Sequence, residues 1–520
     1  MARRPLPWIF VLAAGLHLVG IARTDLPAQD GLKFIRIARS FHERHWVEVI
    51  RGTDQHPLYP AAIAVAQPLV APILGDGPDS WRIAAQGVSA LATLALLLPL
   101  SRLTRALFDA RTAPLACLFY VLLPVPSEVG HDTLSDPLAL LAFAVAMNCG
   151  AHALRHGTFR SALGCGVAGG LGYLVRPEVA VVPMAVLLAA ATRWVRSEGR
   201  PVPHPGSPAL AAYPRYATMA VATLVLVGSY ALVKGEVSEK LALRGGLALG
   251  PSAVPKRVSR PRTGLDQPRL DFSAKEESGH ASRLPSGRAA VWMFTRWAED
   301  LGWFIPVFVA WGIVRVRAEA SGKWLALVFA AIFCLILLRH ATALGYLSNR
   351  HVLSLAWLSV PWAAAGVNIC ATRAGGYLSP GLARGLALVL LSGLIALGVG
   401  AQIETPHASR SGHRDAGRWL AGHAGAADGV LDTRGWAAFV SGRREFYDYW
   451  HVRDALRDEH LRYVVVGADE LAAPSRRAAT LRAWLAFAAT PLITFPGRAP
   501  GEEVRIYRFR RPDSWEGLRP

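Results

Sequence analysis

The sequence predicts an α-helical polytopic membrane protein with a small soluble α/β domain at its C-terminal end. Of the 520 residues, 52% are hydrophobic and only 18% are charged, whereas soluble domains carry about 25% charged residues. The mean hydropathy is +0.29. Long apolar runs extend to about residue 403, and a segment of mixed composition follows them. The excess of apolar surface must therefore face lipid, and the composition excludes disordered, coiled-coil and collagen-like chains.

The formal net charge of +19 does not indicate a nucleic-acid partner. The arginines lie mainly between the apolar runs, where membrane topology and attraction to anionic lipid explain them. We therefore predict that the positively charged residues contact membrane lipid and that the protein does not bind nucleic acid.

Eleven apolar runs are long enough to cross a bilayer, which takes about 17–25 residues in a helix. All of them lie within residues 1–403, which we predict to be the membrane region. The runs are 7–23, 82–100, 113–129, 137–154, 161–176, 178–195, 215–233, 299–316, 323–339, 351–370 and 381–401.

The stretch His56–Leu74 (HPLYPAAIAVAQPLVAPIL) is apolar but contains four prolines. Proline removes a backbone donor and clashes with the preceding helical turn. If this stretch does not cross, most arginine-rich connections, including the one at 102–111, fall on the side of the N-terminus, and the positive-inside rule makes that side cytoplasmic. We therefore expect a membrane-dipping or surface helical hairpin at His56–Leu74, inside an external loop at 25–81.

The same count predicts a second external loop at 234–297 and an extracytoplasmic domain at 404–520, in a multi-pass protein of the plasma (inner) membrane. Short β-rich runs and amphipathic runs alternate in the C-terminal domain, which indicates an α/β fold. The expected strands are Gly429–Thr433, Tyr463–Gly467 and Val504–Phe509, and the expected helices lie near Arg414–His423, Val452–His460 and Arg476–Phe487.

Ionisable residues close to membrane depth are costly and usually functional when they occur. Six such residues fall on the predicted external side and are our candidate site. They are Asp30, His56, Asp136, Arg176, Glu178 and Arg350.

The acidic candidates also have structural interpretations. Asp30 and Asp136 each stand at the start of a predicted helix, where aspartate is a favoured N-cap. Asp136 together with His131 and Asp132 is a further alternative as a metal site, although this ligand set is small. The residues alone do not decide between these roles.

The basic candidates have such alternatives as well. Arg176 and Arg350 are positioned to reach lipid headgroups, and His56 before Pro57 fits a turn. Taken together, carboxylates and cations on one membrane face suit transfer of a group from an anionic lipid phosphate to a hydroxyl or amine. A membrane enzyme, a transporter or flippase of a lipid-linked anion, and a non-catalytic membrane scaffold all remain open at this point.

The order of several motifs resembles the GT-C superfamily of membrane glycosyltransferases, in particular the bacterial relatives of protein O-mannosyltransferases and lipid A aminoarabinose transferases. The resemblance runs through residues 7–370. The motifs are DGLKFIRIAR, HPLYPAAIA, WRIAAQGVSALATLALLLPLSRLTRALFD, TLSDPLALL, GLGYLVRPEVAVV and LSNRHVLSLAWL.

The resemblance implies a donor and an outcome for the reaction. The donor is a monosaccharide linked to polyprenyl phosphate, and transfer inverts the anomeric centre. The acceptor stays unknown, and a divalent metal is left open because metal use differs within the superfamily.

The resemblance also implies roles for individual residues. Asp30 matches the catalytic base of the first external loop, although the usual Asp-Glu pair is here Asp30-Gly31. Asp136 matches the acid of the second loop, and Arg176 lies in the family's Arg-Pro signature, with Glu178 after the proline.

Two further motifs carry departures from the family pattern. The HPLYP motif of His56 resembles the family's His-Pro-Pro-Leu signature, with Leu58 in place of the second proline. Arg350 matches a late arginine, followed here by His351 rather than tyrosine.

Overall fold

The computed structural model describes residues 5–197, 208–235, 237, 285–377, 379–403 and 405–512. Most of the predicted second external loop, 234–297, therefore lies outside the described residues. Helices form nearly all of the described part of residues 1–403. They are α1 (Leu6–Arg23), α2 (Gln29–Glu43), α3 (Trp46–Gly52), α4 (Leu58–Leu74), α5 (Pro78–Leu107), α6 (Thr112–Leu122), α7 (Pro124–His131), α8 (Asp136–His156), α9 (Phe159–Tyr173), α10 (Val181–Ser197), α11 (Pro208–Lys234), α12 (Ser286–Asp300), α13 (Ile305–Arg315), α14 (Ala320–Leu344), α15 (Asn349–Tyr377) and α16 (Pro380–Ile403), with a 3₁₀ turn at Pro177–Ala180.

The chain is a multi-pass membrane protein, but the described residues do not confirm eleven spans. Six helices are long and apolar enough to cross a bilayer, or up to eight spans if each of two bent pairs counts as one. The predicted spans 113–129 and 299–316 are both interrupted, because α6 meets α7 at 67° and α12 meets α13 at 100°. Helix α9 has only 15 residues, or about 22 Å, which is shorter than a hydrocarbon core of about 30 Å.

The stretch His56–Leu74 contains one helix, α4, and not the hairpin that its prolines suggested. Pro68 lies inside this helix and has no N–H for the carbonyl four residues earlier, at Ala64. A ring nitrogen of His42 lies 2.9 Å from that carbonyl and supplies the missing donor. The helix therefore continues through the proline because a neighbouring side chain compensates the lost hydrogen bond.

The C-terminal domain is α/β, as the sequence predicts. It has a four-stranded sheet in the order β1-β2-β4-β3, in which β1 and β2 are parallel and the other neighbours are antiparallel. Its elements are α17 (Ser411–His423), β1 (Gly429–Asp432), α18 (Trp436–Val440), α19 (Val452–Ala455), β2 (Leu461–Gly467), α20 (Ala468–Ala472), α21 (Arg476–Ala488), β3 (Ala489–Phe495) and β4 (Val504–Phe509), with 3₁₀ turns at Ala408–Arg410 and Tyr449–His451.

Two elements of this domain differ from the sequence prediction. The expected helix Val452–His460 is a single turn that ends at Ala455. Strand β3 was not predicted. It contains Pro491, which lies at a shift of the β3–β4 register at the edge of the sheet, where a proline is tolerated.

Candidate active site

Asp30 and Arg350 come together from helices that are 320 residues apart in the sequence. Asp30 lies in the first turn of α2, and Arg350 lies in the first turn of α15. A terminal guanidinium nitrogen of Arg350 donates to Oδ2 of Asp30 at 2.8 Å. The two side chains are 34% and 47% exposed, respectively, so a ligand can reach both.

Asp136 and Arg176 extend this pair into a larger network. Asp136, the first residue of α8, is only 5% exposed and accepts a hydrogen bond from Arg176. Its second oxygen lies 3.8 Å from Arg350, and Arg176 also donates to Glu178. Five of the six predicted residues therefore form one carboxylate–arginine cluster of alternating charge.

Packing between α8 and α15 sets the register that brings Asp136 to Arg350. Phe143 and Trp357 lie seven residues after Asp136 and Arg350, respectively, and their rings make an edge contact with centroids 5.5 Å apart. Seven residues are about two helical turns, so each aromatic residue lies on the same helix face as the charged residue before it. The contact between Phe143 and Trp357 therefore also brings Asp136 and Arg350 close together. Both aromatic side chains are almost fully buried.

The structure does not favour simple capping roles for the two acids. Ala28 is the N-cap residue of α2 and Ser135 that of α8, and neither helix has a side-chain capping bond. Both carboxylates instead bind guanidinium groups. Asp30 is the more exposed of these two carboxylates, at 47% against 5% for Asp136.

His56 lies in a different environment from the cluster. Its ring stacks on Tyr230 with centroids 5.3 Å apart and meets the edge of Tyr173 at 5.2 Å. The backbone N–H of Leu58 donates to the carbonyl of Leu174 at 3.0 Å, so this motif packs against the turn that leads to Arg176. A substrate-binding role of His56 stays a prediction.

Polar residues on α5, which the sequence analysis did not single out, fix the loops around the cluster. Arg82 donates to the carbonyl of Thr24 at 2.8 Å, Gln86 to that of His131 at 2.8 Å, and Ser89 to that of Leu134 at 3.0 Å. Their i, i+4, i+7 spacing places them on one helix face. A polar face within an apolar run was the feature of the sequence from which these residues could have been predicted.

Asp132 is a connector between loops. One oxygen accepts from the N–H of Ala28 at 2.9 Å and from its neighbour Thr133 at 2.6 Å, and the other lies 2.8 Å from Nε2 of His407. Burial alone would raise the pKa of Asp132, but the bonds from His407 and the two N–H groups hold that pKa below its ordinary value. Within the described residues, no group of three or more histidine, cysteine, aspartate or glutamate side chains is placed to hold a metal, so the alternative site at His131, Asp132 and Asp136 does not form there.

Gly31 is fixed by close contact with the second loop. A Cβ atom at this position would lie 1.7 Å from Oγ1 of Thr133 and 2.8 Å from the Thr133 carbonyl oxygen. A side chain at position 31 would therefore require Thr133 to shift.

We expect Gly31→Ala to destabilise the protein and to slow transfer, although alanine normally stabilises a helix relative to glycine. Overpacking costs about 1–3 kcal/mol, and relief of the clash would displace α2 and Asp30. Gly87→Ala in α5 is the matched control, because nothing lies within 4 Å of its added Cβ. Thermal unfolding and transfer rates of the two purified variants check this, and equal behaviour would contradict the packing argument.

A cavity of about 940 Å³ lies between α2 and the C-terminal domain. It starts at Leu32, two residues after Asp30, and continues past Arg36 and Arg39. Asp428 and Arg443 are among the residues of the opposite wall. The cavity is polar and of mixed charge, and it gives space for a ligand beside the helix that carries Asp30.

Comparisons with known proteins agree with this arrangement. The model of the dolichyl-phosphate-mannose-protein mannosyltransferase family matches residues 55–212. No curated protein sequence matches the chain significantly.

Two groups of solved structures share the fold. ArnT from Cupriavidus metallidurans bound to undecaprenyl phosphate aligns with a TM-score of 0.56 at 14% identity, over 96% of this chain and 98% of ArnT. The oligosaccharyltransferase of Archaeoglobus fulgidus in the apo form aligns with a TM-score of 0.54 at 12% identity, over 94% of this chain and 73% of the enzyme. The same archaeal enzyme, AglB, with an inhibitory peptide and a dolichol-phosphate aligns with a TM-score of 0.52 at 12% identity, over 98% and 74%.

These similarities distinguish between the functional classes that the sequence left open. The shared architecture extends over nearly the whole chain, and the matched family consists of mannosyltransferases, which favours an enzyme over a transporter or a scaffold. The chain thus has the fold of the membrane glycosyltransferases ArnT and AglB, and its residues 55–212 match the model of a mannosyltransferase family.

Proposed function

We propose that the protein transfers a monosaccharide, a hexose or a pentose, from a polyprenyl-phosphate donor to an extracytoplasmic acceptor, which is a lipid, a glycan or a protein. Asp30 acts as general base and removes a proton from the acceptor hydroxyl or amine. At the same time the oxygen or nitrogen of that acceptor group attacks the anomeric carbon of the sugar. The bond between the anomeric carbon and the phosphate oxygen breaks, and polyprenyl phosphate leaves with the electron pair. Attack from the face opposite the leaving group inverts the anomeric centre.

The observation that carries this proposal is the carboxylate–arginine cluster. An exposed carboxylate next to arginines, at the ends of membrane helices, combines a base with phosphate ligands at the depth of a lipid headgroup. The structures of ArnT and AglB were determined with undecaprenyl phosphate and dolichol-phosphate, respectively, which supports a lipid-linked donor here. The arginine distribution supports placing the cluster and the C-terminal domain outside the plasma membrane.

Mass spectrometry of lipids and surface glycans, from cells with and without the gene, tests the proposal. We expect one sugar modification to disappear with the gene and to return with the wild-type copy but not with Asp30→Asn. The missing group identifies sugar and acceptor together. Identical glycan and lipid profiles in both strains, under conditions in which the protein is made, would contradict the proposal.

We expect Arg350→Lys to weaken use of the donor. A guanidinium can bind two phosphate oxygens in one plane, whereas lysine keeps the charge but not this fork. Loss of one charge-assisted contact corresponds to about 1.5–3 kcal/mol, or about a ten- to a hundredfold lower kcat/KM.

Kinetics of the purified enzyme with varied polyprenyl-phosphate sugar measure this effect. Arg462→Lys, in β2, is the control, because that arginine donates to the carbonyl of Glu459 in the C-terminal domain. An unchanged kcat/KM in Arg350→Lys would show that Arg350 does not bind the donor and only pairs with Asp30.

A further inference from the structure

The segment Asp25–Ala28 leads directly into the helix that carries Asp30, and side chains of the C-terminal domain hold it. The carbonyl oxygen of Pro27 accepts from a guanidinium nitrogen of Arg410 at 2.8 Å and from Nε1 of Trp436 at 3.0 Å. Arg414 forms an ion pair with Asp25 at 2.7 Å. The segment therefore depends on residues almost 400 positions later in the sequence.

A second connection reaches the same segment through Asp132. Its carboxylate accepts the N–H of Ala28 on one side and contacts His407 on the other, at 2.9 and 2.8 Å. Ala28 is the N-cap residue of α2, so Asp132 fixes the point at which this helix begins. Asp30 follows two residues later.

The backbone of His407 shows that this connection is constrained. Its φ is +55°, in the left-handed region, which non-glycine residues adopt only rarely. Such a conformation persists when surrounding contacts determine it. His407 follows closely after the last membrane helix, α16, so the constraint lies at the junction between the membrane region and the C-terminal domain.

The contacts around Arg410 are partly buried and support one another. The Arg410 guanidinium lies 4.5 Å from the ring centre of Trp436, which is 4% exposed. Burial, partly offset by Asp132 and Glu128, lowers the pKa of Arg410 to about 10. A buried guanidinium requires acceptors, and the carbonyl of Pro27 is its main one.

We propose that the C-terminal domain positions the catalytic base, and that His407, Arg410 and Trp436, together with Asp132, are the positioning residues. They fix Pro27 and Ala28, and thereby the direction in which the Asp30 carboxylate faces the acceptor. This inference rests on the proposed role of Asp30. Its chemical basis is that a displacement of about 1 Å in a reacting group can cost a hundredfold in rate.

The test compares Trp436→Phe and Arg410→Gln with matched variants of the same domain. Trp436→Phe keeps an aromatic ring and removes the indole N–H that binds Pro27, together with part of the buried ring volume. Trp419→Phe and Arg462→Gln are the controls. Trp419 packs against His423 and Tyr463, and Arg462 donates to the carbonyl of Glu459.

Hydrogen exchange of the backbone amides of residues 24–32 gives a readout that does not need activity. We expect exchange to become about two- to tenfold faster in Trp436→Phe and in Arg410→Gln, and to remain unchanged in both controls. Unchanged exchange in the test variants, or equal acceleration in the controls, would overturn the positioning role even if transfer were established.

Kinetics give the second readout. We expect kcat to fall about ten- to a hundredfold in the double variant Trp436→Phe/Arg410→Gln, with the KM for the lipid-linked donor unchanged, at a temperature at which the variant stays folded. In an Asp30→Asn background the same double variant should have no further effect on residual turnover. A rise in donor KM instead of a fall in kcat, or a full additional loss in the Asp30→Asn background, would contradict positioning of the base.

Discussion

Replacement of Asp30 by asparagine is expected to abolish transfer while the protein folds and inserts normally. Asparagine has nearly the same shape and can still accept the hydrogen bond from Arg350, so the geometry of the cluster is retained. It cannot take the acceptor proton. A general base contributes about 10²–10⁴-fold to a rate, and we expect a loss in that range or beyond in kcat, with little change in donor affinity.

The matched control for this variant is Asp54→Asn. Asp54 is an exposed acid in the same predicted loop, with a side-chain contact to Gln55, and its replacement should leave turnover unchanged. Transfer rates and donor binding of the two purified variants distinguish chemistry from folding. Full activity of Asp30→Asn would reject Asp30 as the base.

The second large effect is expected at Asp136, where substitution by asparagine should lower both stability and donor use. Asp136 is 5% exposed and pairs with Arg176 and Arg350. Removal of one partner of a buried ion pair costs about 3–5 kcal/mol, because the remaining charge is left without compensation. The two arginines would also lose the carboxylate that separates them.

Glu178→Gln provides the comparison for Asp136→Asn. Glu178 binds the same arginine but is 30% exposed, so water compensates part of the lost charge and a smaller effect is expected. Unfolding temperature in a fixed detergent and donor KM are the measurements. Equal losses in the two variants, or a larger loss in Glu178→Gln, would show that burial of Asp136 is not the deciding factor.

The sequence predicted the composition of the cluster but not its connectivity. Asp30, Asp136 and Arg350 stand out because charges at the ends of apolar runs are costly in a membrane. Which acid contacts which arginine depends on how α8 and α15 pack, through Phe143 and Trp357, and no local pattern contains that information. His56 was predicted by the same reasoning, yet its described ring contacts are aromatic.

Other misses have equally specific causes. The single helix α4 depends on His42 supplying a hydrogen bond that Pro68 cannot make, and the connector role of Asp132 depends on His407, which is 275 residues away. Each case needs a partner from a distant part of the chain. Proline rules and span counts are local arguments and therefore fail at these positions.

The contacts on Pro27 have a consequence for biosynthesis. Pro27 leaves the ribosome early, whereas Arg410, which binds its carbonyl, follows 383 residues later; at about 5–20 residues per second this interval is about 20 to 80 s. During that time α2 and Asp30 are already made but lack the side chains that hold them. A nascent chain that has not yet produced Arg410 and Trp436 therefore lacks both side-chain donors of the Pro27 carbonyl, and the start of α2 gains these contacts only when synthesis of the C-terminal domain is under way.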